Sequence, residues 1–140
     1  MSSLKTWHVA SAFVDRPLFV DDVHDMGAEM LYIGVDLGTS AVKLLLMNEA
    51  GHIEKIVSRE YPLSFPHSGW SEQNPYDWYD KTVDGLKELL SECDKSQVDG
   101  ISFGGQMHGL VTLDAQDEVV RPAILWNDGR TTEETAYFNE

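Results

Sequence analysis

Two apolar runs separated by one short polar turn constrain this chain more than any other feature. Leu31-Tyr32-Ile33-Gly34-Val35 ends in Asp36, the turn Leu37-Gly38-Thr39-Ser40 follows, and Val42 to Met47 is apolar again apart from Lys43. Mostly apolar runs of this length suit buried central strands. Gly38 lets the backbone approach a polyanion closely, and a tight turn can aim successive N–H groups into one anion-binding concavity. Thr39 and Ser40 add hydroxyl donors, and Lys43 adds a cation just beyond the turn. Asp36, at the end of its strand, is placed to hold Mg²⁺, an ion that prefers carboxylates together with phosphates. The same string also suits an ordinary hairpin, and the residues alone leave both readings open. They do exclude two other phosphate motifs. No Gly-x-x-x-x-Gly-Lys-Ser/Thr string occurs, and the glycine lies between strands rather than opening a helix as a Gly-x-Gly-x-x-Gly fingerprint requires.

The rest of the chain has a readable order. Asn48-Glu49-Ala50-Gly51 has hairpin-turn chemistry, and Ile53–Tyr61 reads as a third strand stopped by Pro62. Leu63 to Gln73, with Pro66 and Gly69, reads as a loop. Asn74 and Pro75 then open a helix as N-cap and first helical residue, with Asp77 in the first turn. Tyr79, Val83, Leu86, Leu90 and Cys93 recur at helical spacing and predict one apolar stripe, interrupted by a Gly85 that costs about 1 kcal/mol against alanine. Val98–Phe103 is a fourth strand. Leu110–Leu113 and Val119–Arg121 read as a further pair around Ala115-Gln116-Asp117. Thr131 is expected to cap a last helix, with Glu134 completing a capping box.

Composition narrows the function classes. The 24 acidic against 10 basic residues leave a net charge of −14, with no basic stripe to neutralise a nucleic-acid backbone. No apolar run approaches the ~18 residues of a membrane span. A single cysteine, Cys93, cannot form an internal disulfide, so the chain reads as cytoplasmic, with Cys93 in a packing role. The histidines lack paired metal-ligand spacing. Residues 1–29 carry scattered apolar residues, Pro17 and an acidic cluster at Asp21, Asp22 and Asp25, without the h-region of a secretory signal. They are read as an extension outside the fold that occupies residues 30–140.

Three further strings complete a pattern. Gly69-Trp70-Ser71-Glu72-Gln73 precedes the helix; Ile101-Ser102-Phe103-Gly104-Gly105-Gln106-Met107-His108-Gly109 is a strand entering a glycine-rich bend; Arg121-Pro122-Ala123-Ile124-Leu125-Trp126-Asn127-Asp128-Gly129-Arg130 follows. With the Asp36–Ser40 turn, in this order and at compatible spacing, they resemble the N-terminal part of the FGGY carbohydrate kinases, and within that family the xylulokinases. The resemblance implies an α/β, ribonuclease-H-like (actin-like ATPase) domain, present here as the N-terminal half of the first kinase domain and so incomplete. It implies ATP and Mg²⁺ as cofactors, and phosphorylation of D-xylulose to D-xylulose 5-phosphate by the complete protein.

Site roles follow from the resemblance position by position. Asp36 serves the metal and phosphate site; Gly38, Thr39, Ser40 and Lys43 face phosphates. Met107 and His108 contact the sugar, with Gln106 as a backbone brace. Trp126, Asn127 and Asp128 offer the sugar an aromatic face, an amide and a carboxylate. Each has a plainer reading: Lys43 as a solvated lysine on an edge strand, Met107 and His108 as packing and a surface turn, Trp126 as a core-boundary aromatic, and Asp128 as the partner of Arg130 in shaping its loop. Trp70 and Glu72 read as structural. Relatives are three to four times as long as the matching segment, and their general base and adenine pocket map beyond Glu140. Many are dimers. Two alternatives stand beside the xylulose reading: an FGGY kinase for ribulose, gluconate or glycerol, and a truncated non-catalytic product that binds through an unfinished sheet edge.

Overall fold

Alternating apolar positions decide which way the two runs face. In the computed structural model, which describes residues 30–139, they are β1 (Leu31–Leu37) and β2 (Ala41–Asn48), an antiparallel pair in which Asp36 lies opposite Lys43 and Leu37 opposite Val42. The expected extension over residues 1–29 lies outside the described residues. Because side chains alternate across a strand, Leu31, Ile33 and Val35 share one face with Val42, Leu44 and Leu46, and all six are buried. β3 (Ile53–Glu60) pairs antiparallel with β2 and adds Val57 to this face.

The chain then makes β4 (Glu72–Gln73), a two-residue strand within the segment expected to be loop, and enters α1 (Pro75–Leu89). Asn74 caps the helix as expected: its side chain accepts from the Tyr76 N–H at 3.2 Å, and Pro75 fills the first helical position. α1 lies on the apolar face of the sheet. Arg59 pairs with Asp84 (2.6 Å) and Glu88, while Lys55 Nζ donates to the Glu88 carbonyl near the helix C-terminus, at 2.9 Å. The buried stripe agrees with the expected one at Leu86, Leu90 and Cys93, which pack partly buried against the core, and departs from it elsewhere. Thr82, Gly85 and Leu89 are buried with Trp78 and Leu86 beside them, whereas Tyr79 is 68% exposed. The rotation follows from close packing at Gly85, where an added Cβ would sit 2.5 Å from Leu44 Cδ1. Cys93 falls beyond the helix end, half-buried against the same core.

After a 3₁₀ turn at Lys95–Gln97, β5 (Val98–Gly105) returns parallel to β1, so the sheet order is β3-β2-β1-β5. β2 is therefore an interior strand, and the reading of Lys43 as an edge-strand lysine does not hold. The anticipated pair at 110–113 and 119–121 reduces to single bridges, Leu113 with Val119 and Leu110 with Ile124, around a turn in which Asp117 takes a left-handed conformation (φ 65°). Instead β6 (Ala123–Ile124) pairs antiparallel with β4. Finally α2 (Thr132–Phe138) begins after Thr131, which stands at the N-cap position without a side-chain cap bond. The expected capping box is absent. The Thr132 hydroxyl donates to the Gly129 carbonyl at 2.7 Å and that of Thr135 to the Thr131 carbonyl at 2.8 Å.

Candidate active site

The turn between β1 and β2 closes on itself and is held by two residues from elsewhere in the chain, Tyr61 and Gln73. Gly38 N–H donates to the Ala41 carbonyl at 3.0 Å and closes the turn. The Tyr61 hydroxyl donates to the Gly38 carbonyl, the Tyr61 N–H to the Ser40 carbonyl at 3.2 Å, and Gln73 Nε2 to the Thr39 carbonyl at 2.7 Å. Three consecutive carbonyl oxygens are thus occupied by protein donors. Each of these carbonyls keeps a second lone pair, but the bonds fix the backbone of the turn in one conformation. Tyr61 is buried, and its phenol is pushed up to about 12, first by burial and then by the charge of Asp36. A phenol is protonated at neutral pH with or without this shift, which acts only under alkaline conditions.

The glycine-rich bend arrives beside this turn because β5 runs parallel to β1. Its last residue, Gly105, packs so closely that an added Cβ would lie 2.9 Å from both Cβ and O of Leu37. One residue on, Gln106 N–H donates to the Leu37 carbonyl at 2.8 Å. His108 then adopts a left-handed backbone (φ 63°), uncommon for a residue with a Cβ and concentrated at functional sites. From the loop after β6, Trp126 reaches back, and its Nε1 donates to Thr39 Oγ1 at 3.3 Å. Gly38, Thr39, Gly105, Gln106, Met107, His108 and Trp126 together line one open cleft of about 420 Å³. Met107 and Trp126 are 70% and 58% exposed, so both present apolar surface to solvent at the mouth of this cleft.

Asp36 and Lys43 line a neighbouring cleft, on the sheet face away from α1, with Ser102 and Gly104 of β5. Both are exposed, and among the described residues Lys43 has no ion-pair partner. Ser40 is exposed at the turn, and Asn127 is exposed beyond Trp126. Asp128 is placed differently. Its side chain is 2% exposed and accepts from the Ser71 N–H (2.6 Å) and from Arg130 N, Nε and Nη2 (2.9, 2.8 and 2.7 Å). The Arg130 guanidinium, foremost through its hydrogen bonds, holds the Asp128 carboxyl far below the usual carboxylate range. Arg130 also pairs with Glu72 at 2.8 Å and stacks on Trp70, 3.8 Å from the ring centroid. Trp70 and Glu72 are therefore structural, as the sequence suggested.

Among the described residues no group of three or more His, Cys, Asp or Glu is gathered for a metal. A lone carboxylate at Asp36 suits Mg²⁺, which keeps several waters and is completed by substrate phosphates. Two residues that sequence reasoning passed over, Tyr61 and Gln73, prove central to the turn. Tyr61 carried a usable signal, since a tyrosine ending an apolar strand needs a partner for its hydroxyl. Gln73 carried none, because a glutamine before an N-cap reads as solvated loop.

A mixed sheet with one helix on its apolar face, a short turn between the first two strands and a glycine-rich bend after the parallel strand make up the opening of a ribonuclease-H-like fold. The model of the FGGY family of carbohydrate kinases, N-terminal domain, matches residues 31–140, and the chain belongs to that family. The xylulose kinase of Bacillus subtilis (strain 168) is 50% identical over 110 residues, which make up 77% of this chain and 22% of that protein. Among solved structures, the xylulose kinase of Rhodospirillum rubrum matches with a TM-score of 0.74 at 33% identity, covering 78% of this chain and 23% of that one. A gluconate kinase from Lactobacillus acidophilus matches with 0.75 at 28% identity, covering 80% and 23%. The chain thus spans 22% of the length of the Bacillus relative. No helix among the described residues is long and apolar enough to cross a membrane.

Proposed function

We propose that this chain supplies the phosphate turn and the sugar-contact bend of an ATP-dependent xylulokinase, a cytoplasmic enzyme converting D-xylulose to D-xylulose 5-phosphate. The observation that carries the reading is the shared cleft, in which Trp126 touches Thr39 while Met107 and His108 lie alongside. In the reaction the oxygen of the sugar's terminal hydroxyl bonds to the γ-phosphorus. The bond from that phosphorus to the β–γ bridging oxygen breaks, ADP leaves with the electron pair, and the hydroxyl proton passes to a general base. The resemblance puts that base on an aspartate outside this chain. Thr39, Ser40 and Lys43 stabilise the spreading negative charge with N–H, hydroxyl and ammonium donors, while Gly38, whose own N–H closes the turn on Ala41, lets the phosphate approach the backbone closely. Mg²⁺ held at Asp36 would supply further positive charge to the phosphate oxygens. Met107 and Trp126 lie against the sugar's carbon skeleton, and His108 and Asn127 meet its hydroxyls. Asp128 contributes by fixing the Arg130 loop on which Trp126 and Asn127 stand.

Titrating the chain with D-xylulose, D-ribulose, gluconate and glycerol while following tryptophan fluorescence tests this. D-Xylulose is expected to give the strongest response, Trp126→Phe to abolish it, and His108→Ala to weaken binding about tenfold, as loss of one hydrogen bond to the sugar implies. A stronger response to gluconate would favour a different FGGY substrate, a reading supported by the equally good superposition on the gluconate kinase.

A further inference from the structure

The Gln73 side chain makes four hydrogen bonds from a position that is 2% exposed. Nε2 donates to the carbonyls of Thr39 (2.7 Å) and Pro62 (3.3 Å); Oε1 accepts from Trp78 Nε1 (3.1 Å) and Gln106 Nε2 (3.2 Å). Chemistry leaves no freedom in this arrangement. Backbone carbonyls can only accept and an indole N–H can only donate, so the amide of Gln73 has one allowed orientation. That orientation forces Gln106 to present its Nε2. Among the described residues Gln106 Oε1 is buried without a hydrogen-bond partner, so the bond to Gln73 is the single side-chain bond that holds Gln106. Thr39 belongs to the phosphate turn, Gln106 immediately precedes Met107 and His108, and Trp78 belongs to α1.

We propose that Gln73 is a positioning residue which sets the phosphate turn and the sugar-contact bend at a fixed separation through one buried amide. Neither substrate touches it. Its donor half holds the turn and its acceptor half holds the bend, so the two halves can be removed separately. The identity of the two ligands rests on the kinase reading above; the coupling itself does not.

Two variants of the full 140-residue chain separate the halves. Gln73→Glu keeps an acceptor for Trp78 and Gln106 but loses both donors. Gln73→Met keeps the length and loses everything polar. In ¹⁵N-resolved NMR spectra, Gln73→Glu is expected to displace the amides of Gly38, Thr39 and Ser40 while those of Gln106–His108 stay near their wild-type positions. Gln73→Met is expected to displace both sets, with β2–β3 amides unmoved in either variant. Titration with D-xylulose then reads function: about tenfold weaker binding is expected in Gln73→Met, which loses all four hydrogen bonds. Identical perturbation by the two variants, or changes confined to residues around position 73, would overturn the proposal. A wild-type chain that ignores D-xylulose but shows the split pattern would remove the ligand assignment and leave the coupling standing.

Discussion

Tyr61 joins the chemistry of the site to the stability of the fold through one hydroxyl. Below pH 10 the phenol is neutral in both folded and unfolded chains, and its contribution is complete. Between pH 10 and about 12 the unfolded chain ionises while the folded one resists, because burial and the charge of Asp36 oppose the phenolate. Stability should therefore fall as pH rises through that window. Tyr61→Phe is expected to lower the urea midpoint at pH 8 by the equivalent of about 1 kcal/mol, from the lost bond to the Gly38 carbonyl. It should also flatten the decline above pH 10; urea titrations at pH 8, 10 and 11 on both proteins check this, and an unchanged slope would remove Tyr61 from the account. Asp128 shows the opposite case. Its four acceptor contacts to Ser71 and Arg130 leave it structural, although its residue type alone fitted a sugar ligand equally well.

Gly85 decides how α1 sits on the sheet. Judged by helix propensity, Gly85→Ala should stabilise the chain by about 1 kcal/mol. The packing argues the reverse, since the new methyl would meet Leu44 Cδ1 at 2.5 Å, and Leu44 is fully buried in the centre of β2. Over-packing of this kind costs about 1–3 kcal/mol, so a lower melting temperature is expected; a higher one would mean that Leu44 repacks freely. Strand and helix existence was legible because periodicity and caps are local: β1, β2, β3 and β5 lie within two residues of their expected bounds, and α1 starts where its caps put it but ends at Leu89, short of Cys93. The rotation of α1 was not legible. Trp78, Thr82, Gly85 and Leu89 form its inner face, and a threonine and a glycine carry no hydrophobic signal. β4 was missed for the same reason, as Glu72 and Gln73 are buried by partners distant in sequence.

For the molecule as a whole, sheet order matters most. β5 pairs with β1 on one side and with no strand among the described residues on the other, and Phe103 is 52% exposed along it. Such an edge invites pairing with another chain. Light scattering of the purified chain should show self-association that rises with concentration and is suppressed by Phe103→Lys; a monomer at every concentration would argue against an adhesive edge. The same preparation should release no detectable ADP with ATP and D-xylulose, because loss of a general base alone costs about 10²–10⁴ in rate. The sequence by itself determined the main strands, the long helix, the family and the turn between β1 and β2, since strand alternation, caps and short glycine strings act over a few neighbouring residues. Only the tertiary structure decided which polar side chains serve the site. Tyr61, Gln73 and Gln106 reach it through hydrogen bonds spanning up to 34 positions, and the Asp128–Arg130 pair that the sequence offered is anchored to Ser71, 57 positions away. Polar pairing is directional and saturable, so its partners are chosen by which groups the folded backbone brings within about 3 Å, and no local pattern encodes that choice.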